Sequence, residues 1–163
     1  MSKLDQDLRY LDASLSELQD YLLSKVLFWS LSASSSLPPL TLGGLLLARQ
    51  RLGSRADAQA AQIEVLRSKW RTAWDAKASH EVRARGDLWK NYLQDYRESP
   101  ESYISEYAQQ VRNRAMLALL GEESDPLDEF VESMFVAGDF VWESECAGYF
   151  PRDAFWFLFG KLK

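Results

Sequence analysis

The sequence predicts an all-α fold: an elongated bundle of five to six helices with one long central helix and a short aromatic C-terminal helix. Apolar residues recur every three or four positions through most of the chain, which is the spacing of one helix face. Capping residues with proline mark several helix starts, and glycine marks the ends. The only β-like run, residues 140–142, is short and has no alternating partner, so no strand is expected.

The composition favours one globular domain. The 163 residues are 47% hydrophobic and 26% charged, which is enough to bury a core without a disulfide or a metal. The net charge is −5, and residues 122–163 hold ten acidic against three basic side chains. We therefore expect a single helical domain over residues 1–163, with bundle helices in 1–121 and an acidic, aromatic subregion, 122–163, packed on them.

Leucines at alternating steps of four and three predict the first helix, from Leu4 to Trp29. They occupy positions 4, 8, 11, 15, 18 and 22, and Val26 and Trp29 continue the series. Serines in 30–36 and the following Pro38-Pro39 end the helix. The 23 uncharged residues between Lys25 and Arg49 are long enough for a membrane span, but the serines and prolines favour a buried connection between helices.

The second helix is predicted from Leu42 to Leu52, with Thr41 as its N-cap and Gly53 at its end. A long helix should follow, from Ser54 or Arg55 to about Arg97. Its apolar face would hold Ile63, Leu66, Trp70, Trp74, Leu88 and Tyr92. Gly86 could break this helix, but one central glycine costs only about 1 kcal/mol, so a continuous or mildly bent helix is favoured.

Ser99-Pro100-Glu101 predicts the start of another helix, which runs to Leu120 and is closed by Gly121. Its inward face would be Ile104, Tyr107, Val111, Ala115 and Ala118. Asp125-Pro126 predicts a further helix, through Phe130 and Phe135 to Gly138, followed by irregular structure over 139–149. Pro151 would open the last short helix, which ends at Phe159.

A charged layer interrupts the apolar face of the long helix. Lys77, Glu81 and Arg85 share the angular position of Trp70 and Trp74, and residues four apart meet on a helix surface. Because buried charges must be paired, one interpretation is that the layer binds a polar ligand or the charge of a partner. The alternative, which we favour, is that the helix outruns its neighbours here and the three side chains are solvated.

Residues for catalysis or metal binding are scarce. His80 is the only histidine and lies on the flank of the long helix, and Cys146 is the only cysteine, with Glu143 and Glu145 beside it to discourage a thiolate. No Glu-x-x-His pair of the kind used in bundle metal sites occurs. We expect no catalytic residue, no metal and no cofactor, and an intracellular, reducing compartment.

Residues 67–90 mix seven basic side chains with three tryptophans, a combination that can bind nucleic acid by phosphate contact and base stacking. The basic residues are Arg67, Lys69, Arg71, Lys77, Arg83, Arg85 and Lys90, and the tryptophans are Trp70, Trp74 and Trp89. On a helix, however, the cations spread around the circumference instead of forming one stripe. Nucleic-acid association is therefore possible but not favoured.

The C-terminal quarter concentrates aromatic residues, with ten of the 21 in the chain. The rings in 155–159 cannot all point one way from a short helix, so some are either exposed or covered by a second surface. The exposed alternative predicts a partner-binding aromatic surface. Its residues are Trp142, Tyr149, Phe150 and Trp156. The covered alternative is a lid across the bundle.

Together these observations favour a small cytoplasmic helical protein-interaction module, an accessory or adaptor protein without catalysis of its own. A protein partner or self-association is expected, and no membrane span. A ligand-binding or catalytic pocket at the charged layer is the second possibility. The third is a nucleic-acid-associated protein that uses the basic middle helix.

Overall fold

A computed structural model describes residues 2–121, 140–142, 150–151 and 154–162. The chain divides into two compact units, Met1–Glu81 and Val82–Lys163, and the boundary falls inside a helix. The described part is all-α in its main elements, as predicted, with one short two-stranded ribbon in addition. The predicted helix from Asp125-Pro126 to Gly138 lies outside the described residues.

Helix α1 spans Lys3–Leu23, six residues shorter than predicted at its C-terminal end. At its start the Ser2 and Asp5 side chains each accept a hydrogen bond from the other residue's backbone N–H, at 3.1 and 3.2 Å. At its end Ser24 is extended, and its hydroxyl donates to the Tyr21 carbonyl oxygen at 2.7 Å. Val26 and Trp29 therefore belong to the irregular segment that follows, and their assignment to the helix was wrong.

That segment, residues 24–40, is called the connector below. Trp29 and Leu40 exchange backbone hydrogen bonds of 3.1 and 2.7 Å, so the connector folds back on itself before α2. Leu31 and Leu40 are buried. The prediction that this stretch joins two helices is confirmed. The expectation that it is buried holds only for these two leucines, because most of the other residues of the connector are exposed.

Helix α2 spans Leu42–Leu52, as predicted. Thr41 Oγ1 accepts from the Gly44 N–H at 2.9 Å, and Gly53 ends the helix with a positive φ of 54°. Gly44 is required by a close approach, because a Cβ at that position would lie 2.6 Å from the Tyr10 hydroxyl oxygen. The α1 and α2 helices pack on each other through this contact.

The predicted long helix is two helices. After a 3₁₀ turn at Gly53–Ala56, α3 spans Asp57–Lys69 and α4 spans Arg71–Glu98. The break is at Trp70, whose ψ of 41° leaves the helical region, whereas Gly86 lies within α4. The two tryptophans at and after this break differ, because the Trp74 side chain is buried in the core and Trp70 is half-exposed. The prediction of one continuous helix, with Gly86 as its weak point, was wrong.

The core of the first unit consists mainly of leucine with two large aromatic rings. Its fully buried large side chains are Leu11, Leu18, Tyr21, Leu40, Leu42, Leu45, Leu52, Ile63 and Trp74. The inward face of α1 also differs from the row of leucines that the spacing predicted. Asp7 and Ser14 are buried, while Leu4, Leu8 and Leu15 are only half-buried. Arg51 lies 3.6 Å from the buried Asp7 carboxylate.

In the second unit, the predicted helix from Pro100 to Leu120 is interrupted. Helix α5 spans Pro100–Tyr103, a 3₁₀ turn follows at Ile104–Glu106, and α6 spans Tyr107–Leu120. The Tyr92 hydroxyl donates to the Tyr103 carbonyl oxygen at 3.0 Å, an acceptor that a continuous helix would have used itself. Gly121 closes α6 with a φ of 79°, as predicted.

The inward face of this region is close to the prediction. Tyr107, Val111 and Ala115 are buried, while Ile104 and Ala118 are half-buried. Leu88 of α4, in contrast, is 51% exposed, and Trp89 beside it is buried against Tyr92 and Tyr107. The assignment of Leu88 to the inward face of α4 was therefore wrong, whereas Trp74 and Tyr92 of that predicted face are buried.

Strand β1, Phe140–Trp142, pairs antiparallel with β2, Gly160–Leu162, with Val141 opposite Lys161. Two predictions are corrected here, since 140–142 is a strand and not irregular, and the last helix is only a 3₁₀ turn at Trp156–Leu158. The partner strand begins 18 residues after Trp142, at Gly160, and the sequence there shows no alternation of apolar and polar residues. Aromatic and branched residues favour such pairing over a helix.

Candidate functional site

The charged layer is buried, so the interpretation that its side chains are solvated was wrong. Lys77 Nζ donates to the carbonyl oxygens of Ser24 and Val26, at 2.8 and 2.7 Å, and approaches the Ser24 hydroxyl at 3.3 Å. It also lies 4.5 Å from the centre of the Tyr21 ring. Burial lowers the pKa of the Lys77 ammonium, while the oxygens and the ring face bind its charged form. Lys77 thus fastens the start of the connector.

Glu81 of α4 is fully buried, and its carboxylate lies beside the first turn of α2. Its Oε2 accepts from the Gly43 N–H at 2.9 Å. The first backbone N–H groups of a helix have no partner within the helix, and a carboxylate there is also favoured by the helix dipole. Glu81 and Thr41 together therefore cap α2, one from a distant helix and one from the adjacent residue.

Arg85 lies one turn beyond Glu81 and is buried in the second unit. Its Nη1 donates to the Asn113 side-chain oxygen of α6 at 2.9 Å. The three residues of the layer follow one another along α4, but these hydrogen bonds join them to three different segments: the connector, α2 and α6. This arrangement suits internal support, because each of these contacts uses the polar atoms that a ligand would need.

The tryptophans of the basic middle region are largely unavailable for base stacking. Trp74 and Trp89 are each 1% exposed. The Arg67 guanidinium lies 5.0 Å from the centre of the Trp74 ring, and Lys69 Nζ lies 5.6 Å from that of Trp70. Cation–π contacts within the protein therefore engage Arg67 and Lys69 with the rings of Trp74 and Trp70.

His80 is exposed on α4. Cys146 lies outside the described residues. Among the residues that the structure describes, no three histidine, cysteine or acidic side chains come together as a metal site would need. Nor does any helix of the described ranges combine the length and apolarity that crossing a bilayer requires.

Only part of the predicted aromatic surface lies within the described structure. Phe150 and Trp156 are half-buried, Trp142 belongs to β1, and Tyr149 lies outside the described residues. Phe150 packs edge-on against Phe155, with 5.1 Å between ring centres, and Trp156 packs in the same way against Phe157 at 5.4 Å. Buried neighbours thus cover one side of each of these two rings.

Phe157 anchors this segment on α6. It is fully buried, and its carbonyl oxygen accepts from the Tyr107 hydroxyl at 2.6 Å. The Arg114 guanidinium lies 4.6 Å from the centre of its ring. Phe157 is covered, as the alternative of a lid across the bundle expects, whereas Phe150 and Trp156 are only half-buried.

Sequence reasoning missed an apolar groove beside α6, with a volume of about 630 Å³. It lies between α6 with its preceding turn and the segment 157–162, and is called the α6 groove below. Its lining residues are Ile104, Ser105, Tyr107, Ala108, Val111, Phe157, Leu158, Gly160 and Leu162. The helical half could be found from the spacing of its apolar residues. The other half could not, because it depends on the pairing of β2 and on the Phe157 anchor.

Sequence reasoning also missed how firmly the connector is held. The Glu17 carboxylate accepts three hydrogen bonds from it, from Trp29 Nε1 at 3.1 Å and from the Ser32 backbone and hydroxyl at 3.0 and 2.7 Å. These bonds hold the pKa of Glu17 below its usual 4.5. The Tyr21 hydroxyl donates to the Leu27 carbonyl oxygen at 2.8 Å, and the Tyr10 hydroxyl to that of Pro39 at 3.0 Å.

Large apolar side chains are exposed at the start of this connector. Leu23, Val26 and Phe28 are 54%, 47% and 57% exposed, and Lys25 between them is exposed as well. We call residues 23–28 the connector finger. Scattered exposed leucines are common on protein surfaces, but here three large apolar side chains are exposed within six residues of one segment.

Comparison of the chain with protein-family models, with curated proteins and with solved structures finds no match.

Proposed function

We propose that the protein is a protein-interaction module, an accessory or adaptor protein of the cytoplasm that has no catalysis of its own. In this proposal a bundle of five to six helices presents apolar surfaces to another polypeptide. The proposal rests on what the described residues offer to a partner and on what they keep for internal contacts.

The connector finger is the observation that carries the proposal. Its apolar side chains are about half exposed, while its backbone is fixed by Lys77 and Tyr21, and the connector just beyond it by Glu17. A segment held in this way loses little conformational freedom when it binds. Exposed apolar side chains on a fixed backbone are typical of residues that anchor protein–protein interfaces.

The α6 groove supports the same proposal as a receiving surface. Seven of its nine lining residues are apolar or aromatic, and its volume suits a few apolar side chains of a partner. The aromatic surface predicted at Trp142, Tyr149, Phe150 and Trp156 would extend the interaction region, since Phe150 and Trp156 belong to the same segment as Phe157.

The two other functions gain less support. A polar ligand at Lys77, Glu81 and Arg85 would have to displace contacts that the protein makes with itself, and each displaced buried group would lose its partner. Nucleic-acid binding through the middle helix would proceed without the rings of Trp74 and Trp89, which are buried.

Site-specific photo-crosslinking tests the proposal. A photoreactive amino acid is placed at Phe28, at Ala108 in the α6 groove, or at the exposed Arg83 of α4 as the control position. After irradiation in cells of the source organism, we expect one polypeptide crosslinked at position 28 or 108 and absent at 83. The identified polypeptide is then purified and titrated against the protein.

Phe28→Glu and Ala108→Arg variants complete this test. At least one should weaken binding to the purified polypeptide by tenfold or more, about 1.4 kcal/mol, while Arg83→Ala leaves it unchanged. Equal crosslinking at all three positions, or binding that none of the variants changes, would contradict a protein-interaction role for these surfaces.

A further inference from the structure

We draw no further inference here: the strongest candidate, the apolar α6 groove between α6 and the segment 157–162, carries nothing, because nothing in the part of the chain that the structure describes shows what covers it.

Discussion

Replacing Lys77 by methionine tests whether the charged layer supports the protein itself. Methionine keeps the length and apolar character of the stem but removes the ammonium group. The carbonyl oxygens of Ser24 and Val26 would lose their 2.8 and 2.7 Å donor, and the Tyr21 ring would lose the cation at 4.5 Å. Ser24 would keep its bonds to the Tyr21 carbonyl oxygen, and the rest of the connector would still be held by the Tyr21, Glu17 and Tyr10 side chains.

The magnitude follows from these contacts. A hydrogen bond to a charged group contributes about 1.5 to 3 kcal/mol, and water can replace the lysine only in part because Lys77 is 7% exposed. We expect the free energy of unfolding to fall by about 3 kcal/mol. For a chain of this size the melting temperature would fall by about 6 to 12 °C.

Urea unfolding followed by circular dichroism gives this free energy, and a thermal melt gives the shift. The control is Lys90→Met, the same change at an exposed position of the same helix, which should stay within about 0.5 kcal/mol of wild type. A loss below about 1 kcal/mol for Lys77→Met would refute the structural role. That result would favour the alternative in which the charged layer binds a ligand.

Three further variants test other contacts. Gly44→Ala should destabilise the first unit by about 1 to 3 kcal/mol in urea unfolding, because the new Cβ would meet the Tyr10 hydroxyl. The comparison is Gly121→Ala, where the new Cβ has open space and only the positive φ causes strain. Tyr107→Phe should cost about 1 to 3 kcal/mol by the same assay, since it leaves the buried Phe157 carbonyl without this donor. Glu17→Gln should lower stability at pH 7. Because the folded state holds the pKa of Glu17 below 4.5, the stabilisation is present above that pH and is lost as the pH falls through the folded value. The difference from wild type should therefore shrink in acid, and a constant difference would show that the charge of Glu17 is unimportant.

The elements that the sequence predicts well are those set by neighbouring residues. Thr41 caps α2, Gly53 ends it and Gly121 ends α6, and in each case the signal lies within four residues of its effect. The breaks at Leu23 and Tyr103 have distant causes. Lys77 satisfies the backbone 53 residues before it, and Tyr92 takes a carbonyl 11 residues after it. Helical periodicity carries no information about such donors.

In the candidate site, too, the sequence predicts local properties and not the contacts that depend on tertiary packing. Periodicity identified Lys77, Glu81 and Arg85 as an interruption of an apolar face, which is a local property of α4. It could not show that they are bonded to the connector, to α2 and to α6, because those partners depend on how the chain packs. The α6 groove stayed hidden for the same reason, since its second wall depends on the pairing of β2 with β1.

Ser14 shows what buried polar groups of this core contribute. It lies fully buried on the inward face of α1, and its hydroxyl has no hydrogen-bond partner among the residues that the structure describes. Such a group has lost water without regaining a bond, so Ser14→Ala should stabilise the protein by about 1 kcal/mol, helped by the better helix propensity of alanine. Ser68→Ala, the same change at an exposed position of α3, provides the propensity contribution alone. If Ser14→Ala destabilises the protein relative to Ser68→Ala, the Ser14 hydroxyl has a partner in solution, and the interior of α1 is polar for a reason beyond packing.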